Sequence, residues 1–242
     1  MKAFSVTDIG QKREINQDYV YCNENTVGAL PNLFIVADGM GGHNAGDFAS
    51  RFCVEQMVKA VEESCEKTII GILENSILKT NTLLINEARE QSDLEGMGTT
   101  LVLATITEHT LYVANVGDSR LYLVNDGIKQ ITQDHSLVEE MVKTGEIKRE
   151  EARFHPKKNI ITRAMGANAS VVADFFEVNI KENDIILLCS DGLSNMVEDQ
   201  EIFNIIHEHK DDLQTSAQEL LKRANESGGK DNIAIILVKG EE

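Results

Sequence analysis

The chain has no tryptophan, and aromatic residues make up only 5% of its 242 residues. Its core must therefore be mostly aliphatic, and a 42% hydrophobic content is enough to build one. No segment approaches the ~20 consecutive apolar residues of a membrane-spanning helix. The opening MKAFSVTDIG lacks the apolar run of a secretion signal. A soluble cytoplasmic protein without membrane insertion is the expectation. The cysteines Cys22, Cys53, Cys65 and Cys189 are scattered, with no C-x-x-C pair, which argues against structural zinc and a disulfide framework. Positive charge is short: 23 Lys and Arg face 40 Asp and Glu, a formal net charge of −17. So acidic a chain is a poor partner for a nucleic-acid backbone. It can still receive a phosphorylated partner, because bound cations reverse the field around clustered carboxylates. Internal repeats, low-complexity tracts and linkers are missing too, consistent with a single domain over residues 1–242.

Strands are predicted at 2–8 and 17–22. The run Leu33-Phe34-Ile35-Val36-Ala37 is apolar without alternation, as expected of a strand covered on both faces. A glycine-rich turn at 39–46 follows. Apolar residues at helical spacing (Phe52, Met57, Val61, then Ile69, Ile72, Leu73, Ile77, Leu84) predict helices over about 46–64 and 67–90. Residues 98–124 read as several strands, and Asn125-Asp126-Gly127 as a hairpin turn. Ser136 suits the N-cap of a helix of about two turns. After an irregular, locally basic stretch at 143–163, strands are expected at 172–178 and 184–189 and helices at 199–208 and 212–226. A last strand is expected at 233–238. This order is not a βαβ alternation. Sheet packed on sheet, with helices outside, is the economical arrangement.

Three apolar strands end in aspartate: LFIVAD at Asp38, LYVANVGD at Asp118 and DIILLCSD at Asp191. A fourth, Asp231, immediately precedes IAIILV. An Asp-Gly after a strand is by itself an ordinary turn. Four aspartates at strand termini can gather at one edge of the sheets, where they would raise one another's pKa unless a cation sat among them. Oxygen-only clusters suit Mg²⁺ or Mn²⁺ better than zinc. Gly39, Gly41, Gly42 and Gly46 permit close backbone approach, yet their spacing makes neither G-x-G-x-x-G nor G-x-x-x-x-G-K-[ST]. A backbone carbonyl serving as metal ligand explains them better, and a tight strand-to-helix connection is compatible with that.

Taken together, GQKREINQD at 10–18, VADGMGGHNAG at 36–46, GTT at 98–100, ANVGDSR at 114–120, QDHS at 133–136, TRAMG at 162–166, CSDGLSN at 189–195 and GGKDNIA at 228–234 run along nearly the whole chain. In this order they resemble the protein phosphatase type 2C family of metal-dependent phosphatases, in its compact bacterial form. The resemblance implies an α+β fold, an αββα sandwich of two antiparallel sheets with a helix pair on each outer side. It implies hydrolysis of phosphoserine and phosphothreonine in proteins, reversing a cognate Ser/Thr protein kinase. It also implies two Mn²⁺ or Mg²⁺ ions per site and a third, weaker one. Asp38 would bridge two ions, Asp191 and Asp231 would hold the first, and the Gly39 carbonyl would help hold the second. Asp18 would lie near the second ion through water. Asp118, with Asp191, matches the place of the third, and Arg13 would grip the substrate phosphate. A pair of cations makes hydroxide available near neutral pH without a covalent intermediate.

One departure stands out. Many eukaryotic members carry His after the Asp-Gly pair as the leaving-group acid, and here Met40 stands in that position. His43, close by, is expected to be structural at the helix start. The stretch 143–163 corresponds to the family's flap and carries seven Lys and Arg against three Glu, which suits either a solvated loop or a segment that guides phosphorylated substrates. Nothing in the pattern demands more than a monomer. The alternative function, an inactive metal-binding scaffold of the same fold, sits poorly with a complete aspartate set.

Overall fold

The computed structural model of the protein describes residues 1–42 and 45–240, so the expectation for His43 falls outside the described residues. One antiparallel sheet has the order β1 (Lys2–Asp8), β11 (Ile233–Lys239), β10 (Ile185–Cys189), β7 (Arg120–Val124), β8 (Ile128–Gln130). The other has the order β2 (Asp18–Asn23), β3 (Leu33–Met40), β5 (Leu101–Thr107), β6 (Thr110–Val116), β9 (Asp174–Asn179), with β4 (Gly98–Thr99) paired to the end of β3. Helices α1 (Ala45–Glu62) and α2 (Ile69–Glu90) pack on the second sheet, and α6 (Asp199–Glu208) and α7 (Leu213–Glu226) on the first. Short helices α3 (Leu137–Lys143), α4 (Arg149–Ala152) and α5 (Asp191–Ser194) lie at one end.

The apolar runs explain the layering. Along β3, Leu33, Ile35 and Ala37 face the α1–α2 pair while Phe34 and Val36 face the opposite sheet. Along β11, Ile233, Ile235 and Leu237 face α6–α7, and Ala234, Ile236 and Val238 face inward between the sheets. A strand buried on both faces cannot alternate polar with apolar, because successive side chains point to opposite sides. Burying each such Val, Leu or Ile contributes about 1.5–3 kcal/mol. A polar replacement at Val36, between the sheets, would leave an unsatisfied group and break the sandwich first.

The expected architecture is present, with local differences. β3 does not stop before the glycines: it continues through Asp38 and Gly39 to Met40, because Gly39 and Met40 pair with Thr99 and Gly98. Thr68 caps α2 by accepting from the Gly71 N–H at 3.1 Å, and Ser136 caps α3 by accepting from the Glu139 N–H at 3.3 Å. The segment 143–163 is not wholly irregular, since it contains α4. All four cysteines are free thiols. Among the described residues no helix is long and apolar enough to cross a membrane.

Candidate metal centre

Strand register brings the first carboxylates together. In the β2–β3 pair Asp18 stands directly opposite Asp38. The backbone of Asp38 is fully tied: its N–H donates to Thr100 Oγ1 at 2.9 Å, and its carbonyl accepts from the Thr100 N–H and from Thr99 Oγ1, each at 2.9 Å. The carboxylate is left free to face the cleft. Asp191 opens α5, just past the end of β10, and Asp231 precedes the neighbouring strand β11. The two loops touch so closely that a Cβ on Gly192 would fall 1.8 Å from the Asn232 carbonyl. Asp118 lies in the turn between β6 and β7, which links the two sheets.

A cleft of about 240 Å³ results, lined by Arg13, Asp38, Gly39, Asp118, Asp191 and Asp231, with Met40 on its wall. Asp18 is buried close by. The fold therefore brings all seven sequence-predicted site residues to one end of the sandwich. Gly39 is required by space as well as chemistry, since a Cβ there would meet the Gly46 carbonyl at 1.9 Å. Arg13 is not free: its guanidinium donates to Asp231 Oδ2 at 2.8 Å.

The electrostatics are unfavourable for the protein alone. Burial pushes Asp18 up to about 8, aided by Asp191 and Asp231 and opposed by the Ser190 hydroxyl, which donates to Asp18 Oδ2 at 2.6 Å. Burial and the neighbouring Asp191 push Asp118 to about 8. Burial, then Asp231, pushes Asp191 to about 6. Asp38 is raised well above its ordinary value by burial and by the charges of Asp18, Asp191, Asp118 and Asp231. Asp18 Oδ1 and Asp191 Oδ1 are buried with no hydrogen-bond partner. Orphaned carboxylate oxygens among like charges fit a site for hard divalent cations. Among the described residues no three His, Cys, Asp or Glu side chains close around a single point.

Sequence reasoning missed the residues that hold this set in place. Thr100 Oγ1 also bonds Ser119 Oγ at 2.7 Å, tying the Asp38 and Asp118 segments together. Asn232 donates to the carbonyls of Ile9 and Ile15 and accepts from the Gln17 N–H, so it pins the loop that carries Arg13. Asn195 donates to Asp191 Oδ2 at 2.8 Å. Part of the signal was present, since Ser119 and Asn232 adjoin Asp118 and Asp231 in GDSR and KDN and Asn195 follows Asp191 in SDGLSN, but polar residues beside a charged one read first as turn formers; Thr100, in GTT, has no aspartate beside it in sequence.

The basic stretch 143–163 behaves differently from its composition. Arg149 pairs with Glu139. Arg153 donates to the Ser194 carbonyl at 3.0 Å, Lys158 to Asn195 Oδ1 at 3.1 Å, and Arg163 to Asp174 Oδ1 at 2.9 Å. Arg153 and Lys158 are thus half-buried against α5, Arg149 and Arg163 are paired but stay exposed, and Lys143, Lys148 and Lys157 are exposed. A second groove of about 460 Å³ lies between this stretch and α5–α6 and shares Asp118 and Asp191 with the cleft.

Comparison with known proteins gives the family. A family profile for protein phosphatase 2C matches residues 10–237. The serine/threonine phosphatase stp of Listeria innocua is 43% identical over 238 residues, covering 96% of this chain and 93% of that one. The solved serine/threonine phosphatase Stp1 of Staphylococcus aureus superposes with a TM-score of 0.86 at 37% identity, covering 100% of this chain and 95% of that one. A solved catalytic domain of the serine/threonine protein phosphatase PstP, in complex with two manganese ions, has a TM-score of 0.85 at 31% identity, covering 98% and 97%. On this match and these relatives, the chain belongs to the protein phosphatase 2C family.

Proposed function

We propose that the cleft hydrolyses phosphoserine and phosphothreonine in proteins with the help of divalent cations, Mn²⁺ or Mg²⁺. The observation that carries this is the set of buried carboxylates Asp18, Asp38, Asp118 and Asp191: burial and mutual charge raise their pKa values, and among the described residues none of the four makes a salt bridge, while Arg13 is paired with their neighbour Asp231. Asp38 would be shared by two ions, with Asp191 and Asp231 on the first and the Gly39 carbonyl on the second. Asp18, held by Ser190, would act on the second through water. Asp118 with Asp191 would hold a third. Bound ions supply Lewis acidity and lower the pKa of water near neutral pH.

The chain's own groups do the rest. Arg13 is half exposed at the rim and can exchange Asp231 for a phosphoryl oxygen, a charge-assisted contact that orients the substrate. Asn232 keeps that loop on the cleft edge. Met40 has no proton to give, so the leaving group is protonated by water or by another side chain. The whole chain would act as one catalytic unit, with 143–163 as a flap presenting Lys148 and Lys157 to phosphorylated proteins. A Ser/Thr protein kinase in the same cytoplasm would be its functional counterpart, and it would work as a monomer.

Phosphate release from a phosphothreonine peptide tests the reading. Turnover with Mn²⁺ is expected to vanish with EDTA and in Asp191→Ala. Folded protein that releases no phosphate under any metal would overturn it.

A further inference from the structure

The motifs QDHS at 133–136 and TRAMG at 162–166 supply no residue to the cleft's carboxylate set. The fold joins them. His135 is buried, with 4% of its surface exposed, and its Nδ1 accepts the Gly117 N–H at 3.0 Å. Its own backbone N–H donates to the Gly117 carbonyl at 2.9 Å, and its carbonyl accepts the Thr162 N–H at 2.7 Å. His135 therefore grips both polar groups of the residue that precedes Asp118. Gly117 has φ +110°, and a Cβ on it would meet Thr100 Cβ at 2.7 Å, so only glycine fits this turn and its path must be held by outside contacts.

The ring's protonation follows from its partners. A backbone N–H is a fixed donor, so Nδ1 must be bare. The neutral ring then carries its proton on Nε2, which lies 3.1 Å from Asp174 Oδ2. Arg163 also approaches Nε2 at 3.1 Å, but its Nη1 donates to Asp174 Oδ1 at 2.9 Å and to the Val172 carbonyl at 3.4 Å. Both Nη1 hydrogens are thus occupied, and Asp174 bridges the guanidinium and the imidazole. A bare Nδ1 would be lost if the ring flipped or changed tautomer. Asp174 prevents this, much as a carboxylate fixes a metal-bound histidine.

We propose that His135 is a positioning residue for the phosphatase reaction: held as the Nε2–H tautomer by Asp174 and Arg163, it fixes the Gly117–Asp118 turn so that the Asp118 carboxylate meets the cation site. The proposal rests on the role given to Asp118 above. It separates the two ring nitrogens, and two amides mimic them one at a time. In His135→Asn the Asn Oδ1 stands where Nδ1 stood and can accept the Gly117 N–H. In His135→Gln the amide reaches toward Asp174 but leaves Gly117 N–H without its acceptor.

The experiment measures kcat and KM on p-nitrophenyl phosphate across a Mn²⁺ titration, and Mn²⁺ binding without substrate by electron paramagnetic resonance. His135→Gln is expected to lower kcat and weaken Mn²⁺ binding by about 10- to 100-fold, with KM little changed, as for other residues that orient a ligand. His135→Asn should stay close to the parent. In an Asp118→Asn background His135→Gln should cost nothing further, because both act through one carboxylate. Independently of any variant, ring ¹⁵N resonances of the metal-free parent should show His135 as the Nε2–H tautomer. An Nδ1–H tautomer, equal damage from Asn and Gln, or losses that add to those of Asp118→Asn would each overturn the proposal. If Asp118→Asn alone changes neither turnover nor Mn²⁺ binding, the role of Asp118 fails and the proposal falls with it.

Discussion

Two neighbouring groups of carboxylates are treated in opposite ways by the same fold. Along the cleft, Asp18, Asp38, Asp118 and Asp191 are buried beside one another, and all are driven toward the neutral form by burial and mutual charge. A few residues away, each acid has an arginine. Asp134 is held in a fork by Arg120, with contacts of 2.7 and 3.0 Å; Glu139 is paired with Arg149, and Asp174 with Arg163. Despite the opposing effect of burial, the Arg149 and Gln133 hydrogen bonds hold Glu139 below its usual value. Asp174 is likewise lowered: burial opposes this, and His135 and Arg163 outweigh it. The lesson is that burial of acid does not by itself mark a site. The mark is buried acid that the chain could have neutralised, as it does next door, and does not.

The sharpest way to break this contrast is Asp38→Asn. Removing one charge from the unpaired group should lower phosphate release by about a thousandfold or more, because several kcal/mol of charge stabilisation depends on the ions Asp38 would hold. The same substitution should raise the melting temperature measured in EDTA, since folding no longer has to bury or protonate a carboxylate at position 38. A loss of activity accompanied by lower metal-free stability would mean that Asp38 is structural, and the contrast would fail.

How much of this was legible in the sequence depends on which physical signal each part carries. The double-faced strands were readable because an unbroken apolar run such as LFIVA has few other meanings. Asp38, Asp118, Asp191 and Asp231 were readable because each sits at one end of an apolar strand, whereas Asp18 follows a polar stretch and was named only through the family resemblance. The division of labour around them was not. Lys157 and Lys158 are consecutive and chemically alike, yet Lys157 is exposed while Lys158 is half-buried against Asn195. That difference arises from where α5 lies in space. Likewise Asp134 and Asp118 are both acids in polar loops, and only tertiary packing gives one of them Arg120. The glycines predict a turn from residue 39, as glycines after a strand usually do, and β4 pairing across Gly39 and Met40 overrides that preference.

The arginine-held group can be tested from the other side. Arg120→Met leaves Asp134, 13% exposed, without its charge partner. Breaking a fully buried pair costs about 3–5 kcal/mol, and the residual exposure here, with the Gln130 hydrogen bond that survives, reduces the expectation to about 2 kcal/mol. Urea denaturation in EDTA reads that loss. Adding Asp134→Leu should recover most of it, because an apolar pair replaces an ion pair at little net cost. No comparable rescue is expected in the cleft, where the absent partner is a divalent cation. If the double variant is as unstable as the single, the pair does more than neutralise charge.

The smallest effect is a pH dependence whose sign differs between the two groups. An unfolded chain ionises its aspartates near the usual ~3.9. In the metal-free fold Asp191 holds its proton to about 6, and Asp18 and Asp118 to about 8. Between pH 4 and 8, as an approximate window, the unfolded state therefore binds fewer protons than the folded one, so these groups stabilise at low pH and lose that contribution as pH rises. Glu139 and Asp174, with lowered values, do the reverse and lose their contribution as pH falls through the carboxylate range. Metal binding requires the cleft carboxylates ionised, so it competes with their protons and strengthens with pH. The melting temperature in EDTA should accordingly fall between about pH 5.5 and 8, while the increment added by Mn²⁺ grows over the same interval. An increment that stays flat with pH would show that the cleft aspartates are already ionised without metal, and that the fold neutralises them by a route other than the cations it is built to receive.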